Sequence, residues 1–433
     1  MGGDLGMRWR GPQLKSRRDR AWLLSALLAA GLAATGANAT PLRVGTSGDY
    51  APFSVGSETN RSDFEGFDIA LARAYAEARG RRIEFVKFNW PNLSRGLINK
   101  RFDLAMSGVT VRPERSAIGR FSIAVAETGA VAIARPKDLF RKIEDLNRPQ
   151  VRIGVNAGGH LEHVAHAHFP AATLVMIPDN ALVLAALMDG AIHAAITDDL
   201  EAPGWMRDRK DLVLFGPITR DRKAILLRAD HAELAADLNS WLLESEANGT
   251  LARLREEHFK KSDSPKLAYP LRALMAAIDE RLALMPFVAT AKRRSSLPIA
   301  IPTREALVLD EAAESVRAAA ERQGVTPPPE GAVRELFVAL IEAGREVQIA
   351  ALGDPYFTSL ETLPDLRSEL RPALLRIGER IAQLLVALPA ELDRARVIEA
   401  ARRELRSAQP SEAAMLAIAD AIVELTKPSA PDD

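Results

Sequence analysis

Between Leu42 and Phe259 the chain alternates short apolar or β-branched runs with longer stretches of helical periodicity. The runs LRVGTS, RIEFVKF, DLAMSG, AVAIAR, VRIGVN, TLVMI, AAITD and AILLR have strand length and composition, and DIALARAYAEARG and LVLAALMDGA have a helical repeat between them. This alternation predicts an α/β domain. From Lys260 the segment KKSDSPKLAYP breaks the pattern with proline, serine and charge, and beyond it no strand-like run appears. The expected organisation is an α/β domain over 40–262, a linker over 263–270, an all-helical domain over 271–428 and a frayed tail, 429–433. The linker implies two domains that act separately.

Four helices are expected after the linker, at about 271–294, 303–323, 331–350 and 364–388. Their apolar stripes are interrupted in a way that carries information. In the first, Leu274, Ile278, Met285 and Val288 share a face with Arg281 and Lys292. In the third, Gln348 follows Phe337, Ile341 and Gly344; in the fourth, Arg380 follows Leu366, Leu370 and Ile377. Arg304 opens the second, after Pro302 and the candidate cap Thr303. A lone arginine on such a stripe is usually a side chain snorkelling at a helix edge. Several inward polar groups together ask for an anion between the helices, because an unpaired buried charge costs several kcal/mol. Pro286 predicts a kink or a restart near Met285.

Charge adds little: Lys+Arg and Asp+Glu are equal at 57 each, and no nucleic-acid-binding motif is present, so nucleic acid is excluded as a partner. The first forty residues differ from the rest. RWRGPQLKSRRDR is basic, AWLLSALLAAGLAA is apolar, and Ala37 and Ala39 flank a cleavage position before Thr40. These are the marks of a signal peptide over 1–39, too short in its apolar run to anchor in a bilayer. With no cysteine in the chain there is neither a disulfide framework nor a lipid attachment site, and a protein free in the periplasm is expected, with no membrane association after cleavage.

Several stretches of the α/β region carry a resemblance. LRVGTSGDYAPFS, FEGFDIALARAYAE, RFDLAMSGVTVRPERSAIGRFS and AAITDD resemble the extracytoplasmic solute-binding proteins for polar amino acids over about two hundred residues. The resemblance implies the two-lobed periplasmic-binding-protein fold (type II), closing on a ligand in the cleft. It implies that Ser107, Thr110 and Arg115 hold a ligand carboxylate and that Asp198 holds an α-amino group. Within this fold, FNWPNLSRGLINKRFDLAMSG, VNAGGHLEHV, IPDN, ITDDLEA and DRKAILLRAD resemble the cyclohexadienyl dehydratases, which convert prephenate or arogenate to phenylpyruvate or phenylalanine. That likeness implies Glu201 as the acid that protonates the leaving hydroxyl, with Trp90, Asn156 and Lys223 as substrate contacts. Taken alone, Glu201 reads as a surface carboxylate at a helix start. His160 stands where the dehydratases have a small hydroxyl. It clusters with His163, His166 and His168, which are expected to be solvated helix residues and not a metal site.

ERLALMPFVATAK, LPIAIPTRE and LIEAGREVQ resemble the helical chorismate mutases, the secreted class above all, over roughly 160 residues. The rearrangement of chorismate to prephenate gathers negative charge on the breaking ether oxygen, so the enzyme supplies preorganised cations and no covalent chemistry. The resemblance implies that Arg281 and Arg304 hold carboxylates, that Lys292 and Gln348 donate to the ether oxygen, and that Glu305 accepts the ring hydroxyl. Arg380 is added as a further carboxylate ligand from its place on its stripe. The acidic residue that often follows LPI is replaced by Ala300 and Ile301, and Gly344 lacks the small polar side chain common at its position.

The product of the second domain is the substrate of the first, and together they imply an exported bifunctional enzyme taking chorismate to phenylpyruvate. No metal, nucleotide or other cofactor is implied, and a homo-oligomer is expected. The alternative reading is a non-catalytic amino-acid receptor of an ABC transporter carrying a helical oligomerisation module.

Overall fold

A computed structural model of the chain describes residues 40–56, 63–135, 140–259 and 269–427. The expected signal peptide, almost all of the linker, and the tail lie outside the described residues. Every strand read from the sequence is present, and the strands build two five-stranded sheets. In the first sheet Ile83–Lys87, Leu42–Thr46 and Leu104–Ala105 run parallel, and Leu226–Arg228 and Gly119–Phe121 complete the edge antiparallel. The second sheet repeats the plan with Thr173–Ile177, Arg152–Asn156 and Ala194–Asp198 parallel, then Ala130–Ala134 and Val213–Phe215. Helices cover both, as parallel strands with buried faces require. The fold is the two-lobed α/β arrangement.

The chain passes between the lobes twice. It leaves the first sheet after Gly119–Phe121 through the strand Ala126–Thr128, and returns through Asp221–Lys223 before Leu226–Arg228. These two strands pair antiparallel, with Arg222 opposite Glu127, and form the hinge. Periodicity did not expose them, because AET and DRK are too short and too polar to read as strands.

The C-terminal region is all helical. Tyr269–Ala283 and Met285–Arg294 form one broken helix, and Pro286 sits in the first turn of the second piece, where a missing N–H is harmless. Pro302–Gln323, Glu330–Leu352 and Arg371–Leu385 match the other expected helices, the last preceded by a wide turn over Leu366–Leu370. Among the described residues three helices were not anticipated, Arg394–Glu404, Glu412–Leu425 and the short Pro355–Ser359. Charge in RARVIEAARRE leaves Arg394–Glu404 too thin a stripe to stand out.

The two domains are not independent bodies on a tether. One continuous core runs from Phe121, Leu238 and Leu242 of the first lobe into Leu271, Ile377 and Ile381 of the helices. Arg376 donates to the carbonyls of Ser116, Ala117 and Gly119 at the end of the helix Pro113–Ile118. The second lobe keeps cores of its own on either side of its sheet. The helical domain and the first lobe therefore form one packed unit, against which the second lobe is hinged.

Candidate active sites

The first site lies in a small cavity between the lobes. Trp90, Thr110, Arg115, Asn156 and Lys223, the contacts that the resemblance implies, line it together with Tyr50, His160 and Asn180. Tyr50 and Asn180 lay within the GDYAPF and IPDN stretches, which was the signal available for them. The lobes meet across this cavity. Asp49 accepts from the Trp90 indole at 3.1 Å and from the Asn180 backbone at 3.3 Å, and the Tyr50 hydroxyl donates to Asp198.

Charge in the cavity is unevenly satisfied. Lys223 Nζ donates to the Tyr50 hydroxyl and to Thr110 Oγ1, both at 3.0 Å, and lies 3.5 Å from Asp198. Arg115 donates to the Thr110 carbonyl at 3.0 Å and is paired with no carboxylate among the described residues. Burial, helped by neighbouring Arg112, pulls its pKa down to about 9. A buried guanidinium bonded only to a carbonyl is a site for an incoming anion.

Glu201 is 4% exposed and is no surface residue. It stands just behind the cavity wall, accepting from Asn180 Nδ2 at 2.8 Å and from Thr197 Oγ1 at 2.5 Å. Burial first, then the charge of Asp198, raises its pKa well above the usual carboxylate range. The shift favours the protonated form relative to an exposed glutamate.

Three expectations for this site need correction. Ser107 does not line the cavity: Gly108, at φ +63°, turns the chain, and the Ser107 hydroxyl lies 2.7 Å from that of Ser47. Asp198 is likewise off the wall. It is taken up by the Tyr50 hydroxyl, by the backbone N–H groups of Leu200 and Glu201 at 3.0 and 2.9 Å, and by Lys223, so little acceptor capacity remains for an amino group. His160 is not solvated, since its Nε2 lies 3.0 Å from Asp221 beside the cavity and burial lowers its pKa. His163, His166 and His168 are exposed, as expected.

The second site is a pocket of the helical domain. Arg281, Lys292, Arg304, Glu305 and Gln348 all reach it, from four different helices. Arg345 and Arg371 add two cations, and Glu311 adds a carboxylate, so five cations face two carboxylates. Lys292 Nζ donates to Gln348 Oε1 at 3.0 Å and to the Ile299 carbonyl at 2.5 Å, which leaves one N–H without a partner among the described residues. Gln348 Nε2 reaches the Gly344 carbonyl at 3.1 Å, and a Cβ on Gly344 would stand 3.1 Å from Met285 Sδ. The glycine spares the glutamine's support from crowding.

Among the described residues the Arg281 guanidinium bonds only the Leu374 carbonyl, at 3.1 Å; burial and the nearby Arg304 bring its pKa down to about 10. Burial also lowers that of Lys292. Arg304 lies 3.4 Å from Glu311, and Glu305 pairs with Arg345. The Arg371 guanidinium has no hydrogen-bond or ion-pair partner among the described residues.

Arg380 is the fourth correction. Its guanidinium donates to Glu280 and, at 2.6 Å, to the Phe121 carbonyl of the first lobe, away from the pocket. In Arg371–Leu385 two faces alternate: Ile377, Arg380, Ile381 and Leu384 are buried, and Arg371, Leu374, Leu375 and Gly378 line the pocket. Pattern alone could not say which buried face met an anion and which met a domain.

Residues 42–261 match the family model for bacterial extracellular solute-binding proteins, family 3, and residues 272–349 match that for chorismate mutase type II. A cyclohexadienyl dehydratase of Pseudomonas aeruginosa is 34% identical over 223 residues, covering 50% of this chain and 82% of the relative. The arginine-binding extracellular protein ArtP of Bacillus subtilis is 30% identical over 226 residues, covering 50% and 86%. Among solved structures, the ancestral amino acid-binding protein AncCDT-1, described as a precursor of cyclohexadienyl dehydratase, is 31% identical with a TM-score of 0.48, covering 51% of this chain and 95% of that one.

Proposed function

The chain belongs to family 3 of the bacterial extracellular solute-binding proteins, and from that premise we propose that it is an exported enzyme with two activities. The helical domain rearranges chorismate to prephenate, and the two-lobed domain dehydrates and decarboxylates prephenate to phenylpyruvate. The observation that carries the reading is the helical pocket, where five cations outnumber two carboxylates.

In that pocket Arg281, Arg304 and Arg371 hold the two substrate carboxylates. The spare N–H of Lys292, steadied by Gln348, meets the charge that develops on the ether oxygen, and Glu305, fixed by Arg345, takes the ring hydroxyl. In the inter-lobe cavity Arg115 and Lys223 take the two carboxylates of prephenate, and Tyr50 and Trp90 wall its ring. Glu201 supplies the proton to the leaving hydroxyl, with Asn180 moving aside as substrate enters, and carbon dioxide departs as the ring becomes aromatic. Because Asp198 is occupied by Tyr50 and Lys223, prephenate is preferred over arogenate, whose amino group would need that carboxylate.

Residues 1–39 act as a cleaved signal peptide that delivers the protein to the periplasm, and mass spectrometry of the exported form should find Thr40 at its start. Among the described residues no helix is long and apolar enough to cross a membrane. The activity test is purified protein with chorismate, following chorismate loss and phenylpyruvate formation separately, then prephenate and arogenate supplied directly. Amino-acid binding without turnover would favour a receptor and overturn the proposal.

A further inference from the structure

The hinge strand Asp221–Lys223 faces two ways. Asp221 and Lys223 point to the inter-lobe cavity, where Asp221 meets His160 of the second lobe and Lys223 meets Tyr50 and Thr110 of the first. Between them Arg222 points to the opposite side and enters the helical domain. Its guanidinium donates to Asp279 at 2.6 Å, to the Glu404 carboxylate at 2.9 Å and to the Glu404 carbonyl at 2.6 Å.

Both acceptors are built for this. Asp279 is fully buried and also accepts from Arg406 N, Ser407 N and Ser407 Oγ at 2.9, 2.8 and 2.6 Å, so its carboxylate is fixed before Arg222 arrives. Glu404, 1% exposed, is further held by Arg272. The partner hinge strand is gripped as well: Glu127, opposite Arg222, lies 3.0 Å from Arg272. The Arg222 carbonyl accepts from Val111 N at 2.9 Å, which ties the strand to the loop carrying Thr110.

From this geometry, and resting on the dehydratase reading above, we propose that the mutase domain supplies a positioning element for dehydration: Asp279 and Glu404 hold Arg222, and Arg222 sets the hinge strand that presents Lys223 to substrate. Arg222 touches no substrate. It acts through its two neighbours, each only one residue from the anchor, and the anchor belongs to the unit formed by the helical domain and the first lobe. The second lobe then closes against a hinge whose outer face cannot rotate freely.

The test uses the full chain with prephenate and chorismate supplied in separate assays. Arg222→Met should raise KM for prephenate by roughly ten-fold or more, since small misplacements of positioning groups cost that much, with mutase kcat/KM unchanged. Asp279→Asn should reproduce the effect and add little to it in the double variant, because the two residues form one interaction. Arg222→Lys, which keeps a cation against the carboxylates, should restore part of it. Wild-type prephenate kinetics in folded Arg222→Met, or a proportional loss of both activities, would overturn the proposal.

Absence of dehydration in the wild-type chain would remove the reading of the first domain without deciding this inference, so a second measurement stands apart from chemistry. The chain has no cysteine, and spin labels at Glu77→Cys and Lys210→Cys, both exposed and on opposite lobes, report the inter-lobe distance. Arg222→Met should broaden that distribution, and an unchanged distribution would sink the idea.

Discussion

Among the described residues the helical pocket leaves the Arg371 guanidinium unpaired and that of Arg281 bonded only to a carbonyl, whereas the inter-lobe cavity pairs its lysine with Asp198 and Tyr50 and keeps a buried carboxyl of raised pKa behind Asn180. The contrast follows from the two reactions. A pericyclic rearrangement needs donors that are already in place, and a bundle whose packed helices all present side chains to one pocket can fix them without moving. Dehydration needs a proton held at a carboxyl that water would strip, and closing two lobes excludes that water. The helical pocket is made by packing, the inter-lobe cavity by closure.

The largest expected effect separates the sites most sharply. Glu201→Gln keeps shape and removes the acid, so dehydration should fall by a factor on the order of 10² to 10⁴, and prephenate should accumulate from chorismate. Steady-state assays on each substrate check this; near-normal turnover would remove Glu201 from the mechanism. In the helical pocket, Lys292→Ala should cost roughly 10² to 10³ in mutase kcat by leaving the ether charge unopposed, with supplied prephenate still dehydrated normally. Loss of both activities in the folded variant would mean that the two sites are not distinct.

Arginines of one helix sharpen the comparison further. Arg371→Ala should raise KM for chorismate by about ten-fold, the worth of a charge-assisted hydrogen bond, with little change in melting temperature. Arg380→Ala should do the reverse, leaving chorismate KM alone and lowering stability by about 3 kcal/mol or more, because it strands Glu280 in the domain interface. Thermal melts beside chorismate kinetics decide between them.

The smallest effect is in pH dependence. Glu201 acts in its protonated form and its pKa is raised, so dehydration should decline as pH rises through that raised value, and Glu201→Gln should lack this limb. Lys292 acts in its charged form and its pKa is lowered, so mutase activity should decline on the alkaline side earlier than for an ordinary lysine. Two pH–rate profiles with the same descending limb would argue against separate groups.

Strand and helix periodicities gave the two domains, and the spacing of inward polar residues marked Arg281, Lys292, Arg304 and Gln348 before any coordinates, because a cation on an apolar stripe is a local anomaly that a single chain displays by itself. Trp90, Thr110, Arg115, Asn156 and Lys223 came from family likeness. Other features depended on which surfaces meet. Arg371 and Arg380 lie nine residues apart on one helix, and only packing assigns the first to the pocket and the second to Glu280. The polar hinge strands, the engagement of Asp198 by Tyr50 about 150 residues away, and the grip of Asp279 on Arg222 likewise join segments distant in sequence. Periodicity records which face of an element is buried, and it holds no record of what that face is buried against.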